Sequence, residues 1–307
     1  MVRNIFFKLL IGIDFMKKYS KPIAILKLTR IEHSVMLVIA VLAAELIVKG
    51  LPNPFILLMS IITPVFISMA AFAINDYFDI EVDRFNKKMQ RPLVNKSLKP
   101  SDAIYVTAIT LVIGIVASAF INLYCFAIAL IFGALALLYA YKIKEMLFWG
   151  NAYIAFSMAI PFIFGNYVVS ISLKQSIILI TLLIFFSGLA REIHGTIRDL
   201  KGDIKIRNVK TLPRVIGISG AAVLALVFYL IAILISIYLF MYYEPFKLNL
   251  IYILPIGITD IILLYLGIKY IYERSERFYS FARNASLAAM GTALLAFLLA
   301  PILNIAI

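Results

Sequence analysis

Nine long apolar segments constrain this chain more than any other feature. They run at about 33–48, 54–76, 102–119, 122–141, 147–170, 175–190, 215–243, 249–270 and 284–306. A bilayer core about 30 Å thick takes about 20 residues of helix per crossing. Inside it, every backbone N–H and C=O must find a partner within the protein, so only helices and closed barrels span it. Runs of this length select helices. The expected fold is all-α, a polytopic membrane protein with nine transmembrane helices. Composition agrees: 64% of the 307 residues are hydrophobic and 15% are charged, against roughly 45–50% and 25% in soluble domains. A soluble enzyme, a disordered chain and a fibrous protein are excluded. One cysteine and two histidines leave no material for a disulfide framework or a Cys/His metal cluster.

The net charge of +13 is distributed unevenly along the chain. With the N-terminus inside, 26 Lys and Arg fall on the cytoplasmic side. Only Lys49, Lys174 and Lys247 fall on the other. This satisfies the positive-inside rule and supports nine crossings, because losing one would scramble the alternation. The expected location is the cell membrane, with the C-terminus outside. Segment 1–32 reads as cytoplasmic and interfacial. Its apolar patch is short, contains Asp14 and lacks a small-residue cleavage site, which argues for an amphipathic surface helix over a signal peptide. Basic charge on so apolar a chain points to anionic lipid or an anionic substrate, not nucleic acid.

Two polar stretches, 75–100 and 191–214, follow the second and sixth spans on the same membrane face. Their spacing predicts two pseudo-repeated four-helix halves plus a ninth helix, within one membrane-embedded domain covering 1–307. The catalytic loops are expected at 77–101 and 191–214.

The first stretch opens with Asn75-Asp76-Tyr77-Phe78-Asp79-Ile80-Glu81-Val82-Asp83. At about 100° per residue, Asn75, Asp76, Asp79 and Asp83 share one helix face. The second carries Asp199-Leu200-Lys201-Gly202-Asp203, with Asp199 and Asp203 one turn apart and Glu192 further back on that face. Crowded carboxylates repel unless a cation sits between them. Oxygen-only ligands suit Mg²⁺, which binds through a few carboxylates plus substrate phosphates. Lys and Arg are interleaved with both motifs, the combination that holds a diphosphate. The positive-inside rule explains many of these basic residues but none of the acids. His194 lies off the aspartate face and reads as packing. Asp260 is expected to pair within the bundle or line a central cavity, and Glu45 to sit near the outer interface.

These motifs resemble those of the UbiA superfamily of intramembrane prenyltransferases. NDYFDIEVD matches the family's N-D-x-x-D-x-x-x-D and runs on to Arg91-Pro92-Leu93. DLKGD matches D-x-x-x-D, and Tyr139-Ala140-Tyr141-Lys142 resembles Y-x-x-K at the end of the fourth helix. The resemblance covers most of the chain. It implies transfer of a polyprenyl group from an allylic diphosphate, such as geranylgeranyl diphosphate, to a lipid-soluble acceptor, with release of pyrophosphate. It implies that Asn75, Asp79, Asp83, Asp199 and Asp203, supported by Asp76, hold two Mg²⁺ ions. It makes Lys88, Arg91, Tyr139, Lys142 and Arg30 candidate diphosphate binders, with Glu192 a possible addition.

REIHGTIRDLKGD resembles the archaeal branch that alkylates geranylgeranylglyceryl phosphate. Thr196 stands where that branch often carries an acid, so an aromatic acceptor on a quinone pathway stays open. An alternative of another class is an ion-coupled membrane transporter. Such sites lie near the bilayer midplane at broken helices, whereas these acids lie at helix ends.

Overall fold

A computed structural model describes residues 18–206 and 211–303, apart from the side chains of Glu32 and of 201–206. The expected amphipathic helix at the N-terminus lies largely outside the described residues. The chain is all-helical across those residues: α1 (Lys21–Thr29), α2 (Ile31–Val48), α3 (Pro54–Phe78), the short α4 (Ile80–Phe85), α5 (Pro100–Ala119) and α6 (Leu123–Tyr141) come first. A 3₁₀ turn (Ile143–Glu145) leads to α7 (Trp149–Val169), α8 (Gln175–Ile206), α9 (Leu212–Tyr242), α10 (Leu250–Tyr272) and α11 (Glu276–Leu299). Eight of the described helices are long and apolar enough to cross a bilayer. The count is nine when α1 and α2, which meet at a bend of 51°, are taken as one span.

Capping residues set most of the breaks. Asn53, Asn122, Asn249 and Ser275 each accept a hydrogen bond from the first turn of the helix they precede, satisfying an otherwise orphaned N–H. The tight 119–122 connection is thus a true break at Asn122. At Gly217 the backbone turns to φ 76° inside α9, a conformation glycine reaches without a Cβ penalty.

The helices form a ring. The motif-bearing helices α3 and α8 each pack most extensively on the next long helix, α5 and α9 respectively. The ninth helix, α11, closes the ring by packing on both α10 and α2. Contacts between helices are rich in small residues. Ala40, Ala43, Ala44, Ala155 and Ala159 are buried, which lets backbones approach closely where lipid offers no hydrophobic drive. At Gly165 of α7 an added Cβ would lie 2.6 Å from the Val41 carbonyl oxygen of α2.

One expectation needs correcting. Residues 191–206 are not loop but the last turns of α8, which is helical to Ile206. Loss of hydropathy marks where the membrane ends, not where the helix ends. Strong helix formers continue, and no proline intervenes before Pro213. In the same way α11 starts at Glu276, well before the apolar run at 284.

Candidate active site

The ring encloses a cavity of about 590 Å³, mostly apolar in lining and within the usual range for ligand pockets. Pro64 of α3 and Pro161 of α7 sit inside their helices and both line it. Phe72, Phe132, Phe162 and Phe297 supply aromatic wall. Tyr139 stacks on Tyr153 with ring centroids 4.6 Å apart, and both face the cavity. Arg30 and Asn75 line it too, so the first aspartate motif borders its mouth.

That motif is not one continuous helix. α3 ends at Phe78, Asp79 caps it with φ −92° and ψ 2°, and the chain restarts as α4. The near-helical cap keeps the i, i+4 relation, and the Asn75 amide donates to Asp79 Oδ2 at 3.0 Å. Each carboxylate meets at least one cation, and Arg91 is shared between Asp76 and Asp83. Asp76, 3% exposed, accepts from Arg30 at 2.5 Å and from Arg91 at 2.6 and 2.8 Å. Asp79 pairs with Lys144 at 2.8 Å, and Asp83 with Lys88 at 2.8 Å and Arg91 at 3.8 Å.

Local packing places these cations. Leu93 and Leu98 of the segment after α4 bury themselves against Ala24 and Leu28 of α1 and Ala73 of α3. The Tyr19 amide donates to Ser97 Oγ. Arg91 is therefore carried on a packed cap, not a loose loop. Arg30 sits between α1 and α2 in the left-handed region, φ 45° and ψ 50°, which is uncommon for a residue with a Cβ. Its guanidinium lies over the Phe72 ring at 4.6 Å.

Lys144 was missed by sequence reasoning, which chose Lys142 from the Y-x-x-K match. The 3₁₀ turn after α6 redirects the chain. Lys142 is exposed at its start, while Lys144 is buried on Asp79 and over Phe78. The signal available was the pair of lysines after the fourth span. Glu192 pairs with Arg191 at 3.2 Å.

The second motif rides on the C-terminal end of α8. Asp199 is half exposed and held by Arg198 through two bonds of 2.8 and 2.6 Å. The Asp203 side chain lies outside the described residues. Among those described, no group of three His, Cys, Asp or Glu is gathered to hold a metal, because basic side chains stand between the carboxylates.

His194 is fully packed, its ring stacked on Tyr270 at 3.7 Å. Asp260 lines the cavity and accepts from Ser236 at 2.6 Å. Glu45 is completely buried, not at a wet interface, near the C-terminal end of α2.

Comparison with known proteins agrees with this geometry. The chain is 38% identical over 290 residues to a digeranylgeranylglyceryl phosphate synthase from Archaeoglobus fulgidus, covering 92% of this chain and 96% of that one. A solved structure of a digeranylgeranylglyceryl phosphate synthase superposes with a TM-score of 0.75 at 28% identity, covering 91% of this chain and 98% of that one. A UbiA homolog from Archaeoglobus fulgidus bound to GPP and Mg²⁺ shares the fold, with a TM-score of 0.64 at 16% identity over 89% of this chain and 99% of that one. The transporter alternative is set aside by these matches. The model of the UbiA prenyltransferase family spans residues 36–287, and a match over so much of a ring that carries both aspartate motifs makes this multi-pass membrane chain a member of that family.

Proposed function

We propose that this prenyltransferase moves a geranylgeranyl group from geranylgeranyl diphosphate to the free hydroxyl of geranylgeranylglyceryl phosphate. The allylic C–O bond to the diphosphate breaks and pyrophosphate leaves. The acceptor oxygen forms the new ether bond and loses its proton. The observation that carries the reading is the near full-length identity to a digeranylgeranylglyceryl phosphate synthase.

The donor set fits Mg²⁺. Asn75, Asp79 and Asp83 offer oxygen ligands, which suit this hard cation, and Lys144 and Lys88, paired with Asp79 and Asp83, would turn to the diphosphate when the ion binds. Asn75, Asp79, Asp83, Asp199 and Asp203 would hold two ions, with Asp76 behind them. Bound there, Mg²⁺ supplies Lewis-acid charge for the leaving diphosphate. A UbiA homolog binds Mg²⁺ together with a prenyl diphosphate.

The chain's own cations do the rest of the anchoring. Lys88, Arg91, Arg30 and Lys144 surround the carboxylates and become diphosphate ligands as the charge arrives; Tyr139 and Lys142 complete the candidate set. Below them the aromatic, largely apolar cavity keeps water from the allylic cation. The basic-residue asymmetry puts this mouth on the cytoplasmic side and the C-terminus outside.

The test is a product screen by mass spectrometry. Purified protein receives geranylgeranyl diphosphate with geranylgeranylglyceryl phosphate, hydroxybenzoate and dihydroxynaphthoate side by side. The expected product is digeranylgeranylglyceryl phosphate, lost with EDTA and restored by Mg²⁺. A prenylated aromatic acid in its place would overturn the acceptor.

A further inference from the structure

We infer that Arg191 and Arg283 form a second anion site inside the cavity, which binds the phosphate of the acceptor. This rests on the acceptor class proposed above and deepens it.

The argument starts from which cations are already paired. Arg30 and Arg91 share Asp76, Lys88 holds Asp83, Lys144 holds Asp79, and Arg198 holds Asp199. Each belongs to an aspartate motif and its bound diphosphate. Two further guanidiniums line the cavity, Arg191 on α8 and Arg283 on α11. Neither has its donors met. Arg191 spends one nitrogen on Glu192 at 3.2 Å, and its Nε is buried with no partner. Glu192 itself does not line the cavity. Arg283 makes no ion pair with any described residue.

The two border one packed cluster and one cavity. Leu189, Ala190 and Ile193, which flank Arg191, are buried in the same cluster as Phe278, Tyr279 and Ala282, which lead up to Arg283. Helices α8 and α11 touch directly. Arg191 stands eight residues before Asp199, so it is about 12 Å further along α8, away from the aspartates. A diphosphate clamped at the aspartates therefore does not occupy it. A glycerol phosphate does, because its hydroxyl must meet the allylic carbon just below the diphosphate while its phosphate extends past that carbon.

The chemistry also fits. Guanidinium forks match phosphate oxygens through paired N–H donors. The unpartnered, buried Nε of Arg191 in a membrane-spanning helix is costly and marks a functional partner, and the exposed Arg283 guanidinium is free to join it at the cavity wall. A phosphate monoester carries close to two negative charges at neutral pH, enough to answer both arginines. Donor and acceptor then bind through separate sets of cations.

The experiment compares the phosphorylated acceptor with geranylgeranylglycerol, its phosphate-free analogue, in wild-type protein, Arg283→Gln and Arg191→Lys. Arg283 is exposed on its helix, so Arg283→Gln keeps the fold. Arg191→Lys retains charge but loses the fork. In wild-type protein the phosphorylated acceptor is strongly preferred. In each variant that preference falls at least about tenfold, through a higher KM for the phosphorylated acceptor, as expected for losing a charge-assisted hydrogen bond. The KM for geranylgeranyl diphosphate and inhibition by pyrophosphate stay within twofold. An unchanged preference in both variants, or an equal rise in donor KM, overturns the second site while leaving the acceptor assignment in place. Failure of the wild-type protein to prenylate the glycerolipid phosphate at all overturns that assignment and the second site with it.

Discussion

Arg30 Nη2 lies 2.5 Å from Asp76 Oδ1, tying the left-handed break between α1 and α2 to the last turns of α3. Asp76 is almost fully buried and also takes Arg91. The acid thus joins three separate pieces of chain, and its charge faces guanidinium on two sides. Removing one partner from a buried pair leaves the other uncompensated, at a cost of about 3–5 kcal/mol. Asp76→Ala is expected to lower the thermal midpoint in detergent by more than any other single aspartate change in the two motifs. Asp76→Asn keeps the volume and some hydrogen bonding, so it should fall between Asp76→Ala and wild type. Calorimetry or fluorescence melts check the order. An Asp76→Ala protein as stable as wild type would remove its structural role.

Asp79 and Asp203 should behave differently. Asp79 faces Lys144 near the mouth of the cavity, and Asp203 rides on the C-terminal end of α8. Asp79→Ala and Asp203→Ala are each expected to cut turnover by at least about 100-fold, the scale seen when transition-state charge stabilisation is lost. Both proteins should still elute from size exclusion as wild type does. Wild-type turnover in both would end the metal assignment.

Much of this arrangement was legible from residue pattern because lipid leaves few alternatives. Nine apolar runs, Asn122 as a break and the two aspartate motifs on one face follow from hydropathy, caps and basic-residue counts. What hydropathy could not show is where a helix ends once it leaves the bilayer, since α8 keeps its backbone bonds through Ile206 in water. Nor could spacing show the cap at Asp79, or that each carboxylate of that face is met by a basic side chain. Lys144 escaped for a related reason. The 3₁₀ turn at 143–145 swaps which of two nearby lysines points inward, and no local pattern encodes that.

The lysine pair gives a direct comparison. Lys144 is buried beside Asp79, whereas Lys142 is exposed. Lys144→Ala should raise KM for geranylgeranyl diphosphate about tenfold or more, as expected for losing a bond to a charged group. Lys142→Ala should do so by less. Acceptor KM should move little in either. Steady-state kinetics with each substrate varied in turn decides it, and a larger donor effect at Lys142 would restore the tyrosine–lysine motif as the principal contact.

A last prediction concerns the wall of the cavity. α2 and α7 both line it, and Gly165 brings them together. A Cβ there would lie 2.6 Å from the Val41 carbonyl oxygen and 2.8 Å from Ala44 Cβ. Neither neighbour is a flexible side-chain tip, so one helix must move. α2 is held on its other side by α11, which leaves little room to give way. Gly165→Ala is therefore expected to destabilise by about 1–3 kcal/mol, the usual cost of overpacking. Gly257 of α10 is the control, because a Cβ there meets nothing within 4 Å. Gly257→Ala should be neutral or stabilising by up to about 1 kcal/mol, from helix propensity alone. In one detergent the Gly165→Ala melt should fall below wild type and the Gly257→Ala melt should not. A melt for Gly165→Ala at or above the wild-type midpoint would show that α2 and α7 are not in close contact.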